Sequence, residues 1–392
     1  MNSSLVPLGE VVTFKGGGTP SRDNPKFWGG PIPWATVKDF CSGNSIHTTQ
    51  ESITELGLEE SASHLIPAGT VVIPTRMALG KAAIVERPIA INQDLRAVFP
   101  HERIEPKYLL WFFLSSAKKI EAMGKGATVK GVTHDQLRRL EIPVPSLPEQ
   151  RRIAAILDKA DALRAKRREA IAKLDQLLQS VFLDMFGDPV TNPRCWPIVN
   201  LGDLIAEGPQ NGIYKPASDY GSGVPILRID GFKAGDVILA PPAKRVRLSS
   251  ADQMKYQLRE ADLVINRVNS PEHLGKPVLI GSLSEPVVFE SNMMRLTLNQ
   301  ARISPHYLLK CMLQQHVRDQ ISRCRKDAVN QSSINQDDVR ALMINLPPMA
   351  MQNKYASAMA ASTAQQRLIA ASVSKLDALL ATLTSRAFSG AW

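Results

Sequence analysis

Cysteine is scarce and histidine sparse. Cys41, Cys195, Cys311 and Cys324 show no Cys-x-x-Cys pairing, and His47, His64, His101, His134, His273, His306 and His316 fall in no ligand spacing. Neither a zinc site nor a disulfide framework is indicated, and a reducing cytoplasm fits. A phosphate-cradling loop would read Gly-x-x-x-x-Gly-Lys followed by Ser or Thr; neither Gly16, Gly17 and Gly18 nor Gly124, Lys125 and Gly126 fits, and both clusters read as turns. An amino-methylating enzyme would show Asn/Asp-Pro-Pro-aromatic, but Asn345, Leu346, Pro347, Pro348 and Met349 insert a leucine and end in methionine. No Gly-x-Ser-x-Gly elbow occurs either, so catalysis is not expected from this chain. The N-terminus lacks a basic start followed by an apolar core, and no apolar run approaches a membrane span, so no membrane partner is expected.

What is present is positive charge. Forty-seven Lys and Arg against thirty-seven Asp and Glu give +10 and a pI near 9.5, which favours a polyanionic partner. With 392 residues, 44% of them hydrophobic, the chain is long enough for at least two domains with real cores.

The stretch 149–186 organises the rest. Ile153, Ile156, Ala160, Leu163, Ala170, Leu174, Leu177 and Val181 recur at steps of three and four across polar Arg167, and Leu157, Ile171, Leu178 and Met185 widen the stripe. This spacing predicts a long amphipathic helix packed against another helix. Pro143, Pro145 and Pro148 precede it and Gly187 and Pro189 close it.

The tract 352–388 repeats the first. Gln150 aligns with Gln352, Lys173-Leu174-Asp175 with Lys375-Leu376-Asp377, and Phe186 with Phe388, always 202 positions apart. There, Tyr355, Ile369, Leu376, Leu379 and Leu383 keep an apolar face, while Ser362, Gln365 and Ser372 soften it. Upstream the spacing drifts: Leu8-Gly9 matches Leu201-Gly202, Ile32-Pro33 matches Val224-Pro225, and Tyr108-Leu109-Leu110 matches Tyr307-Leu308-Leu309. The chain therefore reads as two copies of one unit, a loop-variable globular domain followed by a length-fixed helix. A compact second domain brings the end of helix one near the start of helix two, so the helices must run antiparallel. Such a helix, at about 1.5 Å per residue, spans roughly 55 Å and would act as a ruler between two globular ends.

Each globular segment reads as α+β. Short runs at 11–14, 32–37, 70–73, 82–85 and 97–99 predict strands, a helix is predicted over 106–123, and a basic glycine-punctuated loop follows at 124–131. The second segment repeats this order, with strands at 224–230 and 262–267 and a helix from Pro305 into Arg323, Arg325 and Lys326. Retained scaffold with divergent loop tips suits two readers of two different sequences.

At this point the residues resemble the specificity subunit of type I restriction–modification systems. The likeness is carried by Ile32-Pro33-Trp34, by Thr75-Arg76-Met77-Ala78-Leu79-Gly80-Lys81-Ala82, by Ile91-Asn92-Gln93-Asp94-Leu95, and by Ile142-Pro143-Val144-Pro145 leading through Pro148-Glu149-Gln150 into Ile153-Ala154-Ala155-Ile156-Leu157-Asp158. It covers essentially the whole chain, departing where Met351-Gln352 replaces Glu149-Gln150 and where residues 266–272 replace 75–81. The resemblance implies two target-recognition domains, 1–148 and 188–349, joined by spacer helices 149–187 and 350–392 in an intramolecular antiparallel coiled coil. It further implies double-stranded DNA, two methylation subunits and restriction (translocase-nuclease) subunits as partners. S-adenosylmethionine, ATP and magnesium would then sit on those partners, with no cofactor or metal on this chain.

Bipartite DNA readout is the mechanism expected, with lysines and arginines on phosphates and a few side chains on base edges. The candidates are Lys15, Arg22, Lys38, Arg76, Lys81, Lys125 and Lys130 in the first domain. In the second they are Arg228, Lys244, Arg245, Arg267, Lys276, Arg323, Arg325 and Lys326. Arg76 and Arg267 stand out because both follow a predicted strand. Ile153, Ile156, Leu163, Leu174, Leu177, Ile369, Leu376 and Leu379 are the candidates for the helix or subunit interface. A dimeric coiled-coil transcription regulator and an enzyme remain alternatives, distinguished by self-association and by cofactor turnover of the isolated chain.

Overall fold

The structure, a computed structural model, describes residues 4–40, 43–125, 130–329 and 331–389, so Cys41 and positions 126–129 of the basic loop lie outside the described residues. The chain divides into two compact units that cut through the long helices: Met1–Ala170 with Ile369–Trp392, and Ile171–Leu368.

The first unit is built on two sheets. One runs Val12–Gly16, Leu95–Pro100, Val71–Pro74, Ala83–Val85 and Ser45–Ile46, antiparallel except for the last pair. The other runs Glu51–Ile53, Trp28–Ala35, Ile89–Ile91 and Leu65–Ile66. Buried β-branched runs such as Val71, Val72 and Ile73 place the first sheet between two apolar layers. A further strand pair, Leu5–Pro7 with Glu141–Pro143, ties the chain start to the approach of the long helix.

The helix predicted over 106–123 is two helices, Pro106–Ser115 and Ala117–Met123. No Gly or Pro separates them; Ser115 Oγ instead donates to the Phe112 carbonyl at 2.7 Å, a back-bond that competes with the helical ladder and bends it. Nor do Gly16, Gly17 and Gly18 form a turn. They carry the chain so close beneath Ile91 that a Cβ on Gly17 would lie 1.9 Å from the Ile91 carbonyl oxygen.

The second unit repeats the plan. Its five-stranded sheet runs Ile205–Asn211, Met293–Leu298, Leu263–Asn266, Pro277–Ile280 and Val237–Ile238, again with only the last pair parallel. Beside it lie Arg245–Val246, Tyr220–Leu227 and Val288–Phe289. Trp34 faces Ala90 in one unit as Ile226 faces Val288 in the other, and Pro33 faces Ser52 as Pro225 faces Arg245. These registers fix equivalent positions without appeal to sequence identity: Trp28 with Tyr220, Thr36 with Arg228, Glu51 with Lys244. Gly212 repeats Gly17, its hypothetical Cβ lying 2.2 Å from the Glu290 carbonyl oxygen.

The long helices are Leu147–Phe186 and Met349–Phe388, forty residues each and 202 positions apart at both ends. Gly187, at φ +78°, ends the first in the left-handed conformation that suits a helix C-terminus. Each helix start is pinned to its globular domain by the same buried residue. Gln150 accepts from the Glu105 N–H at 2.9 Å and donates to the Arg103 and Pro145 carbonyls; Gln352 accepts from the Ser304 N–H at 2.8 Å and donates to the Pro347 carbonyl.

The two helices pack together. In the first unit Arg164 reaches Asp377, and Leu157, Ala160, Leu380 and Ala387 share one core. In the second unit Gln366 donates to Asp175 at 2.7 Å, and Phe182 meets the Tyr355 ring at 5.5 Å. Moving forward from Asp175 to Phe182 moves back from Gln366 to Tyr355, which makes the pairing antiparallel.

Among the interface candidates, Ile153 is buried, and Ile156, Leu174, Ile369 and Leu376 are half-buried. Leu163, Leu177 and Leu379 correct the sequence reading: they are 40%, 57% and 48% exposed and do not fill the helix seam. Leu178 and Leu380, each one position further along, and Leu157, a turn and a half before Leu163, are the ones packed in the cores. Where two apolar stripes lie side by side, periodicity alone cannot tell which one faces the partner, because the seam follows the helical drift of 3.6 residues per turn.

Composition calls for a second correction. Met349–Phe388 is, by length and composition, apolar enough to cross a membrane, because alanines and methionines raise its hydropathy without a conspicuous leucine run. Its starting end packs through Tyr355 and Met359 in the second unit, and its closing end through Leu380 and Ala387 in the first.

Candidate nucleic-acid interface

In the first unit a groove of about 400 Å³ opens between the end of Trp28–Ala35 and the connection from Ile91 to Leu95, lined by Thr19, Arg22, Trp34, Thr36, Lys38, Glu51, Met77 and Gln93. The buried Trp34 forms its floor, with the indole N–H donating to the Gly18 carbonyl at 3.0 Å. Arg22 lies over the Trp28 ring, 3.8 Å from its centroid, and both of its terminal nitrogens bond the Glu51 carboxylate. That hydrogen bond from Arg22 holds Glu51 below the ordinary carboxylate range, and the Arg22 guanidinium is raised in turn. Thr19 and Gln93 bond across the groove mouth.

A second groove of about 890 Å³ adjoins the first, lined by Arg76, Met77, Gln93, Asp94, Arg96, Lys125, Gly131 and His134. Met77 and Gln93 line both. Lys125 and Gly131 exchange backbone hydrogen bonds at 2.9 Å each, so the basic loop leaves a short ladder. The stem of Arg76 crosses Gly131, where a Cβ would meet Arg76 Cγ at 3.4 Å; its guanidinium is exposed, 3.7 Å from Asp94.

The second unit holds a groove of about 630 Å³ at the equivalent place, lined by Tyr214, Lys215, Tyr220, Arg228, Lys244, Arg245, Glu290 and Asn292. Arg228 lies over Tyr220, 5.5 Å from the ring centroid, and 3.4 Å from Glu290. Lys244 bonds Asp230 at 3.0 Å, which lowers that carboxyl, and Arg245 holds Glu285 through both terminal nitrogens, which raises the arginine. At matched positions the lining differs in charge and size: Lys244 replaces Glu51 and Arg228 replaces Thr36, while Tyr220 lines the second groove where Trp28 stands outside the lining of the first. One scaffold thus presents two chemically different grooves, each with a cation laid over an aromatic ring.

The sequence candidates divide accordingly. Arg22, Lys38, Arg76 and Lys125 line the grooves of the first unit; Arg228, Lys244 and Arg245 line that of the second. Lys15 is exposed on the strand Val12–Gly16, Lys130 is exposed behind Met77, and Lys81 donates to the Phe40 carbonyl at 2.9 Å. Lys276 turns inward to the Ile229 carbonyl and over the Phe232 ring, and burial lowers it. Arg323, Arg325 and Lys326 are exposed away from the groove lining, with Arg325 paired to Asp327 at 3.1 Å.

Arg76 and Arg267 are not equivalents. Thr75 and Arg267 both donate their N–H to the carbonyl of the matching loop residue, Asp94 or Asn292, and Arg76 pairs with Gly131 as Val268 pairs with Ser333. The one-residue offset turns the two side chains to opposite faces, so Arg267 donates to the Ser291 carbonyl at 3.0 Å while Arg76 is exposed.

Sequence reasoning missed Glu51, Tyr214 and Glu290, which line the grooves. In a basic chain an isolated acidic residue carries no signal for a polyanionic partner, and a solitary Tyr214, 78% exposed, gives no periodic signal.

Three comparisons bear on this arrangement. The type I restriction modification DNA specificity domain matches residues 2–173. The MjaIX specificity subunit of Methanocaldococcus jannaschii is 25% identical over 385 residues, covering 90% of this chain and 84% of its own; the EcoR124I/EcoR124II specificity subunit of Escherichia coli is 36% identical over 182 residues, covering 45% of each. The crystal structure of a type I S subunit from M. genitalium shares the fold, with a TM-score of 0.63 at 14% identity, over 99% of this chain and 96% of that one.

Proposed function

We propose that the chain, whose residues 2–173 match the type I restriction modification DNA specificity domain, is a specificity subunit of type I restriction–modification systems and reads a split DNA target, one half-site per globular domain. The observation carrying this reading is the pair of register-matched grooves with different linings. Identical linings would favour a palindrome; dissimilar ones favour two unrelated half-sites. In this reading Arg76 and Lys125 engage phosphates of one half-site, and Lys244 and Lys215 those of the other.

The polar groups of Glu51, Gln93, Arg228 and Glu290 are of the kinds that read base edges. The long helices set the gap between half-sites and hold two methylation subunits, with restriction subunits joining the complete assembly. Adenine methylation requires the base to leave the duplex stack. That chemistry, with S-adenosylmethionine, ATP and magnesium, belongs to the partners, so this chain is a non-catalytic addressing subunit working in the cytoplasm.

Methylome sequencing of cells with and without the gene tests this reading. The expected result is a methylated motif of two defined halves around a fixed gap, lost with the gene. Arg22→Ala should relax one half and Arg228→Ala the other, each by about 1 to 3 kcal/mol at one base position. An unchanged methylome, or relaxation of both halves by either variant, refutes it.

A further inference from the structure

Met77 is unusual in three respects at once. It is 62% exposed, it adopts φ +63° although it is not glycine, and it forms the ridge shared by the two grooves of the first unit. A bulky side chain in the left-handed region is a rare arrangement that the surroundings must hold in place. They do: the Met77 N–H donates to the Lys130 carbonyl at 3.3 Å, the Ala78 N–H to the Arg76 carbonyl at 2.8 Å, and the Val132 N–H to the Thr75 carbonyl at 2.9 Å. Two residues on, Leu79 is buried in the core. The turn is braced, and what it presents to solvent is an apolar tip.

Around that tip stand the groups a nucleic acid would meet. Arg76 and Lys125 lie on one side of the ridge, Arg22 and Lys38 on the other, and the Gln93 amide beside it. A flexible, polarizable thioether between cationic flanks has the chemistry of a wedge placed between adjacent base pairs. The second unit differs here, since the register-matched residue is Asn269, within the strand Val268–Asn269.

We propose that Met77 inserts between two base pairs of the half-site read by the first unit and opens that step. The inference rests on the DNA-reading function proposed above and adds to it a local distortion that this chain itself imposes.

The test uses the full chain with its methylation subunits and duplexes of its own target, carrying 2-aminopurine at each purine in turn except the methylated adenines. Wild type should raise the fluorescence several-fold at one step within a single half-site. Met77→Ala and Met77→Gly should abolish that rise and weaken binding roughly tenfold, whereas Met77→Leu should retain both. Met77→Gly also relieves the positive φ, so a loss in that variant is not a loss of fold. Met254→Ala, which removes a still more exposed methionine from the helix Ser250–Tyr256, should change neither. Specific binding without a fluorescent step, or a step that survives Met77→Ala, overturns the wedge and leaves DNA reading intact. Wild type that fails to prefer its target over a scrambled duplex overturns both.

Discussion

Arg164 of the first long helix reaches the carboxylate of Asp377 on the second, at 3.3 Å, and the repeat writes the same contact again with one change. Gln366, the counterpart of Arg164, donates to Asp175, the counterpart of Asp377, at 2.7 Å. Eleven steps forward on one helix, from 164 to 175, are matched by eleven steps back on the other, from 377 to 366. An ion pair and an amide–carboxylate hydrogen bond therefore occupy equivalent places in the seam. Both are partly exposed, and Arg168 also approaches Asp377, so the charge should contribute little. Arg164→Gln is expected to cost less than about 1 kcal/mol, the cost shrinking at high salt. Urea unfolding at two ionic strengths checks this; a loss of several kcal/mol would show that the pair determines the helix register.

The buried glutamines at the helix starts should matter more. Gln150→Ala strands the Glu105 N–H and two carbonyls, and Gln352→Ala strands the Ser304 N–H and one carbonyl. Each stranded buried group costs about 1 to 3 kcal/mol, so both variants should be destabilised, the first more strongly. Hydrogen exchange at the Glu105 and Ser304 amides should accelerate in the respective variants, and unaltered exchange would refute the anchoring role.

These two predictions mark what was readable in the residues. Equal spacing of Gln150 and Gln352, of Asp175 and Asp377, and of Phe186 and Phe388 was legible because a packed helix tolerates no insertion. The seam itself was legible only to within one residue, so Leu177 and Leu379 took the place of Leu178 and Leu380. In the globular domains the offset drifts with loop length, and alignment by residue type paired Arg76 with Arg267. Backbone register pairs Thr75 with Arg267 instead, a distinction that only strand hydrogen bonding can make. The grooves were least legible, because Trp34, Glu51 and Gln93 come from three separate segments and converge only in the fold.

Acid should act on the first groove through Glu51. Its folded pKa is depressed, chiefly by the hydrogen bond from Arg22, so the contribution of the pair is fully present above the unfolded carboxylate range and is lost as pH falls through the folded value. Partial exposure of both side chains keeps that contribution modest. Stability measured from neutral pH downward should therefore decline less steeply in Arg22→Ala than in wild type. Parallel acid limbs would show that the pair carries no linked stability.

Because both helices are forty residues long and paired antiparallel, a matched deletion can shorten the seam without disturbing its polar contacts. Removing residues 167–173 from the first helix and 368–374 from the second takes one heptad from each, opposite one another, and leaves Arg164 able to meet Asp377 and Asp175 able to meet Gln366. Each helix loses about 10 Å of length, close to three base pairs of duplex. If the helices determine the gap, the methylated motif of cells carrying this variant should keep both half-sites and lose about three base pairs between them. An unchanged gap with altered half-site bases would contradict the spacer role while leaving the two grooves as the readers.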